Sequence, residues 1–303
     1  MIELNSVSNP APAVSPFESA TLEAVAPRLT TPGSGGTTTD ETSRSETTLA
    51  AKGKSRPILS PFESVIGDRD ERVRIVDTDL TPWRMICALR MRGPSGTAMG
   101  TGWLVGPRTV VTAGHCVFSN HFFGGWASTI EVIPGLNGHG DTARPFDSVT
   151  STSFSSVDRW VNSEEADFDI GCIHLNQDIG NELGWFSIGS LAPAELENFL
   201  VNVSGYPADR GRGFEQYHNS NRVSRVSDRR VFYEVDTFGG QSGAPVWIYE
   251  DEESSPVVIG IHAYGIGGTP DEFNIEANSA PRIIPEVFNT IRGWVEDDGG
   301  WPE

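Results

Sequence analysis

An all-β fold of antiparallel barrels, with a C-terminal α-helix and a disordered N-terminal segment, follows from three features of the sequence. First, from Val73 onward the chain breaks into short apolar runs rich in Val, Ile and aromatic residues, among them WRMICALRM, TVVTAG, TIEVIP, RVFYEV and PVVIGIHAYG. Gly, Pro, Asn and Asp clusters punctuate these runs, and hardly any helix-length apolar period lies between them. Many short strands separated by turn residues are the pattern of antiparallel barrels. Second, Ile284, Val287, Phe288, Ile291 and Trp294 recur at helical spacing, so residues 284–297 form an amphipathic helix that docks one face on the barrels. A shorter helix is expected over Pro193 to Leu200. Third, residues 1–63 are dominated by Ser, Thr, Pro, Gly and Ala. A stretch of that composition buries too little apolar surface to offset its chain entropy and reads as a disordered leader or pro-segment. The string SPFES occurs twice in it, at 15–19 and 60–64.

The chain has 303 residues, enough for one sizeable core in two lobes, and the folded part is placed at 64–303. The strands divide into a first barrel at about 73–180 and a second at about 181–282. The formal net charge is -19, and Lys52 and Lys54 are the only lysines. Phosphate binding needs clustered cations, so no nucleic-acid or anionic-membrane partner is expected. No apolar run approaches the roughly 20 residues of a membrane-spanning helix, and the first thirty residues lack the pattern of a secretion signal. Cys87, Cys116 and Cys172 match no zinc spacing and read as buried small apolar residues. No metal and no cofactor is expected, and the chain is expected to act as a monomer.

Within this frame one segment stands out: Asp236-Thr-Phe-Gly-Gly-Gln-Ser-Gly-Ala-Pro-Val-Trp247 sets a serine among glycines before an apolar strand. A serine hydroxyl is a weak nucleophile until a base lies within hydrogen-bond reach and a third group holds that base in one tautomer. The base is offered by TVVTAGHC, where His115 ends an apolar strand and Ala113 and Gly114 leave room for the ring to turn toward a cleft. His121, His139 and His218 lie in polar, loop-like stretches. The orienting carboxylate is sought in ADFDIGCIHL. Asp169 is preferred because it abuts the apolar run and can be buried, and Asp167, of the same strand parity, is its rival. Gly239 and Gly240 permit a loop whose amides, those of Gly240 and Ser242, point at a developing oxyanion. Alone, GGQSG reads equally well as a tight turn; with TAGHC and DIGCI upstream it reads as a catalytic serine with its base and acid.

The segments TAGHC, DIGCI and GGQSGAPV, in that order, resemble the chymotrypsin-like serine peptidases. The resemblance spans about residue 64 to the C-terminal helix and implies two six-stranded β-barrels with the site in the cleft between them. SVIGDRDE at 64–71, GTGWLVGPRTVVTAGHC, VSGYP and GIHAYG narrow the likeness to the bacterial glutamyl endopeptidases. That likeness implies a His115, Asp169, Ser242 triad acting on polypeptides through an acyl-enzyme, with Thr237 and His262 lining a pocket for a glutamate side chain. It also implies export from the cell.

Asp236 complicates the pocket. In trypsin-like enzymes an aspartate six residues before the nucleophile selects Arg or Lys, and here the spacing is the same. If Asp236 enters the pocket it can pair with His262 and hold that residue protonated; alternatively it turns into the interior of the lobe. Cleavage after Glu, secondarily Asp, is favoured because a buried carboxylate requires a donor such as His262. Trypsin-like cleavage directed by Asp236 and a non-catalytic binding module are the rival readings. Gln241 stands where animal relatives have an aspartate that captures a new N-terminal amine, so activation by that ion pair is not expected. Relatives often bridge the cysteine after the histidine, and Cys87 is the upstream candidate partner for Cys116. Glu18, Glu63 and Glu71 are positions at which a glutamate-specific enzyme would trim its own leader.

Overall fold

A computed structural model describes residues 4–10, 65–197, 199–251 and 254–302. The chain divides into one unit of residues 1–11 and 59–303 and another of residues 12–58. The second unit lies outside the described residues, as do both SPFES strings. The fold below is that of the first.

The first barrel is built from β3 (Ile86–Gly93), β4 (Gly96–Leu104), β5 (Thr109–Thr112), β8 (Thr129–Pro134), β9 (Val149–Ser151), β10 (Ser153–Val157) and β11 (Gly171–His174). The strands pair in the order β10-β11-β5-β4-β3-β8-β9. Residues 149–157 form one extended run broken only at Thr152. Its first half pairs with β8 and its second half with β11, which closes the sheet on itself. Counted as one, that run makes six strands. The hydroxyl of Ser151 spans the break by donating to the carbonyl of His174 at 2.6 Å. In β8, Ile130 and Val132 are buried while Glu131 between them reaches Arg144 outside, the period-two pattern that a half-buried strand imposes. A small ribbon of β6 (Phe118–Ser119) and β7 (Gly125–Trp126) follows the first-barrel strand β5.

The second barrel comprises β13 (Leu200–Gly205), β14 (Tyr217–Val226), β15 (Arg230–Tyr233), β16 (Pro245–Ile248), β17 (Val257–Ile261) and β18 (Asn278–Pro281). Its order is β17-β16-β13-β14-β15-β18, and a bridge between Gly260 and Arg282 returns β18 to β17. Six strands again close. Two short strands lie off this ring: β12 (Ser187–Ile188) joins β17 in parallel, and β2 (Val73–Arg74) joins β14. The antiparallel expectation therefore holds for both barrels, with one parallel edge.

The C-terminal helix runs over Pro285–Asp297, with proline at its first turn and Val287, Ile291, Trp294 and Val295 buried. Just past its end, Asp298 accepts from the Thr109 hydroxyl at 2.6 Å and lies 3.0 Å from Nδ1 of His174, which ties the helix to the first barrel. The expected helix at 193–200 is only Pro193–Leu196, because Leu200 already belongs to β13. All three cysteines are buried and unbridged, so Cys87 and Cys116 form no disulfide.

The disorder expected for residues 1–63 does not hold at 4–10. Ser6–Ser8 forms β1, an added antiparallel strand on β10. Serine-rich composition concealed it, since an edge strand can be held by backbone pairing with little apolar burial. The rest of the leader lies outside the described residues.

Truncating Ile291 to alanine should cost about 2–5 kcal/mol of stability in chemical denaturation, because its side chain is fully buried against the barrel. Phe288→Ala, on the half-buried flank, should cost less.

Candidate active site

His115 leaves β5 in a single helical turn, Gly114–Val117, and both its backbone and its ring are held by one carboxylate. The amide of His115 donates to Oδ1 of Asp169 at 2.8 Å, and Nδ1 of the ring lies 2.7 Å from Oδ2. Asp169 is fully buried. It does not begin the strand as expected. It follows a 3-10 turn at Ala166–Phe168, and β11 starts two residues later. Burial opposes charge on His115, but the neighbouring Asp169 carboxylate, with Cys116 adding to it, outweighs that effect and raises the ring well above its ordinary value of 6.5. The ring of Tyr264 lies 6.5 Å from that of His115, and its hydroxyl interacts with Asp169. Asp167, the rival carboxylate, sits within the 3-10 turn and is exposed.

Ser242 reaches the same place from the second barrel. With His115, Gly239 and Gly240 it lines a cleft of about 700 Å³ that extends along Met91, Met99, Phe122 and Phe214. The loop before it is tightly determined. Gly240 has φ +102°, and a Cβ there would stand 2.5 Å from the carbonyl oxygen of Tyr206. Gly243 has φ +88° and packs so closely on Thr101 and Thr112 that a side chain has no room. The carbonyl of Gly239 accepts from the Ala208 amide at 2.7 Å. In a trans peptide the next N–H points the opposite way, so the amide of Gly240 turns from Ala208. Among the described residues, neither that amide nor the amide of Ser242 has a protein acceptor.

Gln241 has a role that sequence reasoning missed. Its Oε1 accepts from the Phe238 backbone N–H at 3.0 Å, and its own backbone N–H donates to the Phe238 carbonyl at 3.0 Å. A neutral side chain therefore braces the loop from inside. No ion pair is needed.

Asp236 turns away from any pocket that His262 could share. Its Oδ1 accepts from the Ile66 amide at 2.8 Å, and its Oδ2 from the Glu71 amide at 2.7 Å and from Asn219 Nδ2 at 3.2 Å. A buried carboxylate satisfied by amides needs no cationic partner. The pairing with His262 is thereby replaced by a clamp on the segment that leads into the fold. His262 instead lies 2.7 Å, through Nδ1, from the hydroxyl of Tyr233. Burial, with the charge of His115 adding to it, lowers the pKa of His262 to about 3, so its ring is neutral. Tyr233 was not singled out in the sequence, although its position in RVFYEV gives it an inward face. Thr237 and His262 are both buried and do not line the cleft beside Ser242; the His262 strand abuts the serine loop through Gly243 N to His262 O at 2.6 Å. Among the described residues no group of three His, Cys, Asp or Glu side chains is arranged to hold a metal ion.

Replacing Asp236 by alanine leaves the partly buried amides of Ile66 and Glu71 without their acceptor, which should cost about 0.5–1.5 kcal/mol for each bond. Hydrogen exchange should speed at Ile66 and Glu71 while the core strands stay protected.

Comparison with known proteins agrees with this geometry. Residues 100–261 match the trypsin-like peptidase domain family. The chain is 35% identical over 246 residues to a glutamyl endopeptidase of Bacillus licheniformis, covering 80% of this chain and 72% of that protein. It is equally 35% identical, over 244 residues, to a Bacillus subtilis protein named extracellular metalloprotease, covering 80% of this chain and 72% of that one. A solved Glu endopeptidase structure superposes with a TM-score of 0.63 at 26% identity, covering 75% of this chain and 97% of that one. Two closed six-stranded barrels, a histidine and a serine meeting at one cleft, and these likenesses lead to one assignment: the chain belongs to the chymotrypsin-like serine peptidases and is a serine endopeptidase.

Proposed function

We propose that the chain cleaves peptide bonds after glutamate, and secondarily aspartate, using Ser242 as nucleophile, His115 as general base and Asp169 as the group that orients it. The observation that carries this reading is the 2.7 Å contact between His115 Nδ1 and a fully buried Asp169, beside Ser242 in one cleft. With Nδ1 holding its proton toward Asp169, Nε2 is the ring atom that takes the proton of the Ser242 hydroxyl as Oγ attacks the scissile carbonyl. The amides of Gly240 and Ser242 receive the oxyanion. His115 then protonates the leaving amine, an acyl-enzyme remains on Ser242, and water activated by the same imidazole releases the acid.

We assign glutamate selectivity to His262, Tyr233 and Thr237, which are buried behind the serine loop and outside the lining of the cleft, so that a substrate side chain meets them only by passing beyond that lining. When the Tyr233 hydroxyl donates to Nδ1, the single proton of neutral His262 stands on Nε2, available to a substrate carboxylate. The Thr237 hydroxyl supplies a second donor. A neutral donor set suffices because each hydrogen bond to a charged acceptor is stronger than one between neutral groups. Trypsin-like selection of Arg or Lys would need a free Asp236 carboxylate, and its oxygens are engaged by Ile66, Glu71 and Asn219. Residues 1–63 act as a pro-segment that the enzyme trims at glutamates, with Glu63 the natural last cut; Glu18 and Glu63 lie outside the described residues.

Peptides that differ only at the residue before the scissile bond test the whole reading. Glu should be preferred, Asp should follow, and the matured protein should begin after Glu63. Ser242→Ala should lower kcat by roughly 10⁴-fold or more. Tyr233→Phe should reduce the preference for Glu over Gln by roughly tenfold. A preference for Arg would overturn the pocket assignment, undiminished activity in Ser242→Ala would remove the nucleophile, and inactivity of both proteins would favour a binding module.

The pH profile supplies a separate check. His115 must be neutral to accept a proton, and Asp169 raises its pKa above 6.5. The acid limb of kcat/KM should therefore lie above 6.5, activity rising as pH passes through it. Asp169→Asn should move that limb downward and lower kcat by roughly 10⁴-fold.

A further inference from the structure

Residues 4–10 are seated on the folded domain by bonds that do not involve the segment joining them to it. Ser6, Val7 and Ser8 stand opposite Val157, Ser156 and Ser155 on the outer edge of β10. The ladder is flanked by the Asp158 amide donating to Asn5 O at 2.9 Å and the Asn9 amide donating to Phe154 O at 3.0 Å. That alternation makes Val7 and Ser156 the pair that exchanges both backbone bonds. Asn9 adds two side-chain contacts, accepting from the Phe154 amide at 2.8 Å and donating to Thr152 O at 2.8 Å. Ser6 accepts from Nε1 of Trp294 in the C-terminal helix at 2.8 Å, and Leu4 packs against the core.

The strand also extends a hydroxyl chain into the first barrel. Ser8 Oγ lies 2.8 Å from Ser155 Oγ, which lies 2.9 Å from Nε2 of His174, whose Nδ1 meets Asp298. Without Ser8 the Ser155 hydroxyl keeps His174 but loses its second partner. Without residues 4–10, β10 would expose an open row of backbone donors and acceptors, a surface that folded proteins cover.

We propose that residues 4–10 are a docking strand that keeps the leader bound to the peptidase domain after the connecting segment is cut, so that trimming produces a non-covalent two-chain complex in place of a released leader. This rests on the reading that the chain is trimmed between its leader and residue 64. The partner is an extended segment of this same chain adding a strand to a sheet edge. Asparagines at positions 5 and 9 fix its register at each end, and the indole of Trp294 holds it from the helix.

The test uses the full chain carrying Ser242→Ala, so that it cannot digest itself, with the recognition sequence of an unrelated site-specific protease inserted between Gly36 and Thr37. After cutting, size-exclusion chromatography and native mass spectrometry at about 10 μM, a concentration that retains complexes of micromolar affinity, should show the N-terminal fragment still bound. Val7→Pro removes one ladder donor and should speed its dissociation by roughly tenfold or more. Asn9→Ala should act in the same direction. Loss of the fragment from the parent on cutting overturns the proposal, and so does equally firm retention in Val7→Pro and Asn9→Ala. Neither result bears on glutamate selectivity, because a foreign protease makes the cut.

Discussion

The relative position of Ser242 and His115 depends on one buried residue at the junction of the barrels, Thr101 in β4. Its amide donates to Ser242 O at 2.8 Å and its hydroxyl to Gly240 O at 2.8 Å, while the same hydroxyl accepts from the Tyr206 amide at 3.1 Å. The carbonyl of Thr101 in turn accepts from Thr112, at the end of the strand that delivers His115, at 2.7 Å. A first-barrel residue thus holds both halves of the site. The closeness this requires explains two glycines: a Cβ at Gly205 would lie 2.7 Å from the Thr101 hydroxyl, and one at Gly243 would run into its carbonyl.

The parts of this arrangement legible in the sequence are those with a chemical reason to stand in unusual surroundings. His115 behind Ala and Gly, Asp169 against an apolar run and Ser242 among glycines each break the local pattern of a strand, and the structure brings all three to one place. Barrel strands and the C-terminal helix were legible through period two and period 3.6. Thr101 was not, because a threonine in a strand looks like any other until its hydroxyl is seen to cross between barrels. Tyr233 was hidden in the same way. Asp236 misled by spacing: its direction is decided by residues 66–71, over 160 positions earlier in the chain, whose amides claim both oxygens.

The relocation of that carboxylate changes the electrostatics of substrate choice. A protein with a net charge of -19 repels an acidic peptide at long range, but screening over about 8 Å leaves the decision to contact distances. At those distances an Asp236 facing the pocket would oppose a glutamate, and an Asp236 turned toward Ile66 does not. Burial keeps His262 uncharged, so under the proposed glutamate selectivity acid recognition would rely on a directed N–H from a neutral ring. On that reading direction matters more than charge, and the Tyr233 hydroxyl, by donating to Nδ1, would leave the ring proton on Nε2.

Asp236 and β1 also solve a common problem of attachment in different ways. The segment at 66–71 is held by backbone amides converging on one buried carboxylate, a point contact that any sequence with free N–H groups can make. Residues 4–10 are held by a ladder, two asparagine side chains and an indole, a distributed contact that depends on register. A point contact adapts to a chain end created by cutting, since the residues around it need not keep their side chains. A distributed contact does not depend on what happens to the chain beyond it, because its bonds all lie within seven residues. If the leader is trimmed as proposed, the two contacts would answer differently, the one at residues 66–71 adapting to a new chain end and the one at residues 4–10 holding its strand in place.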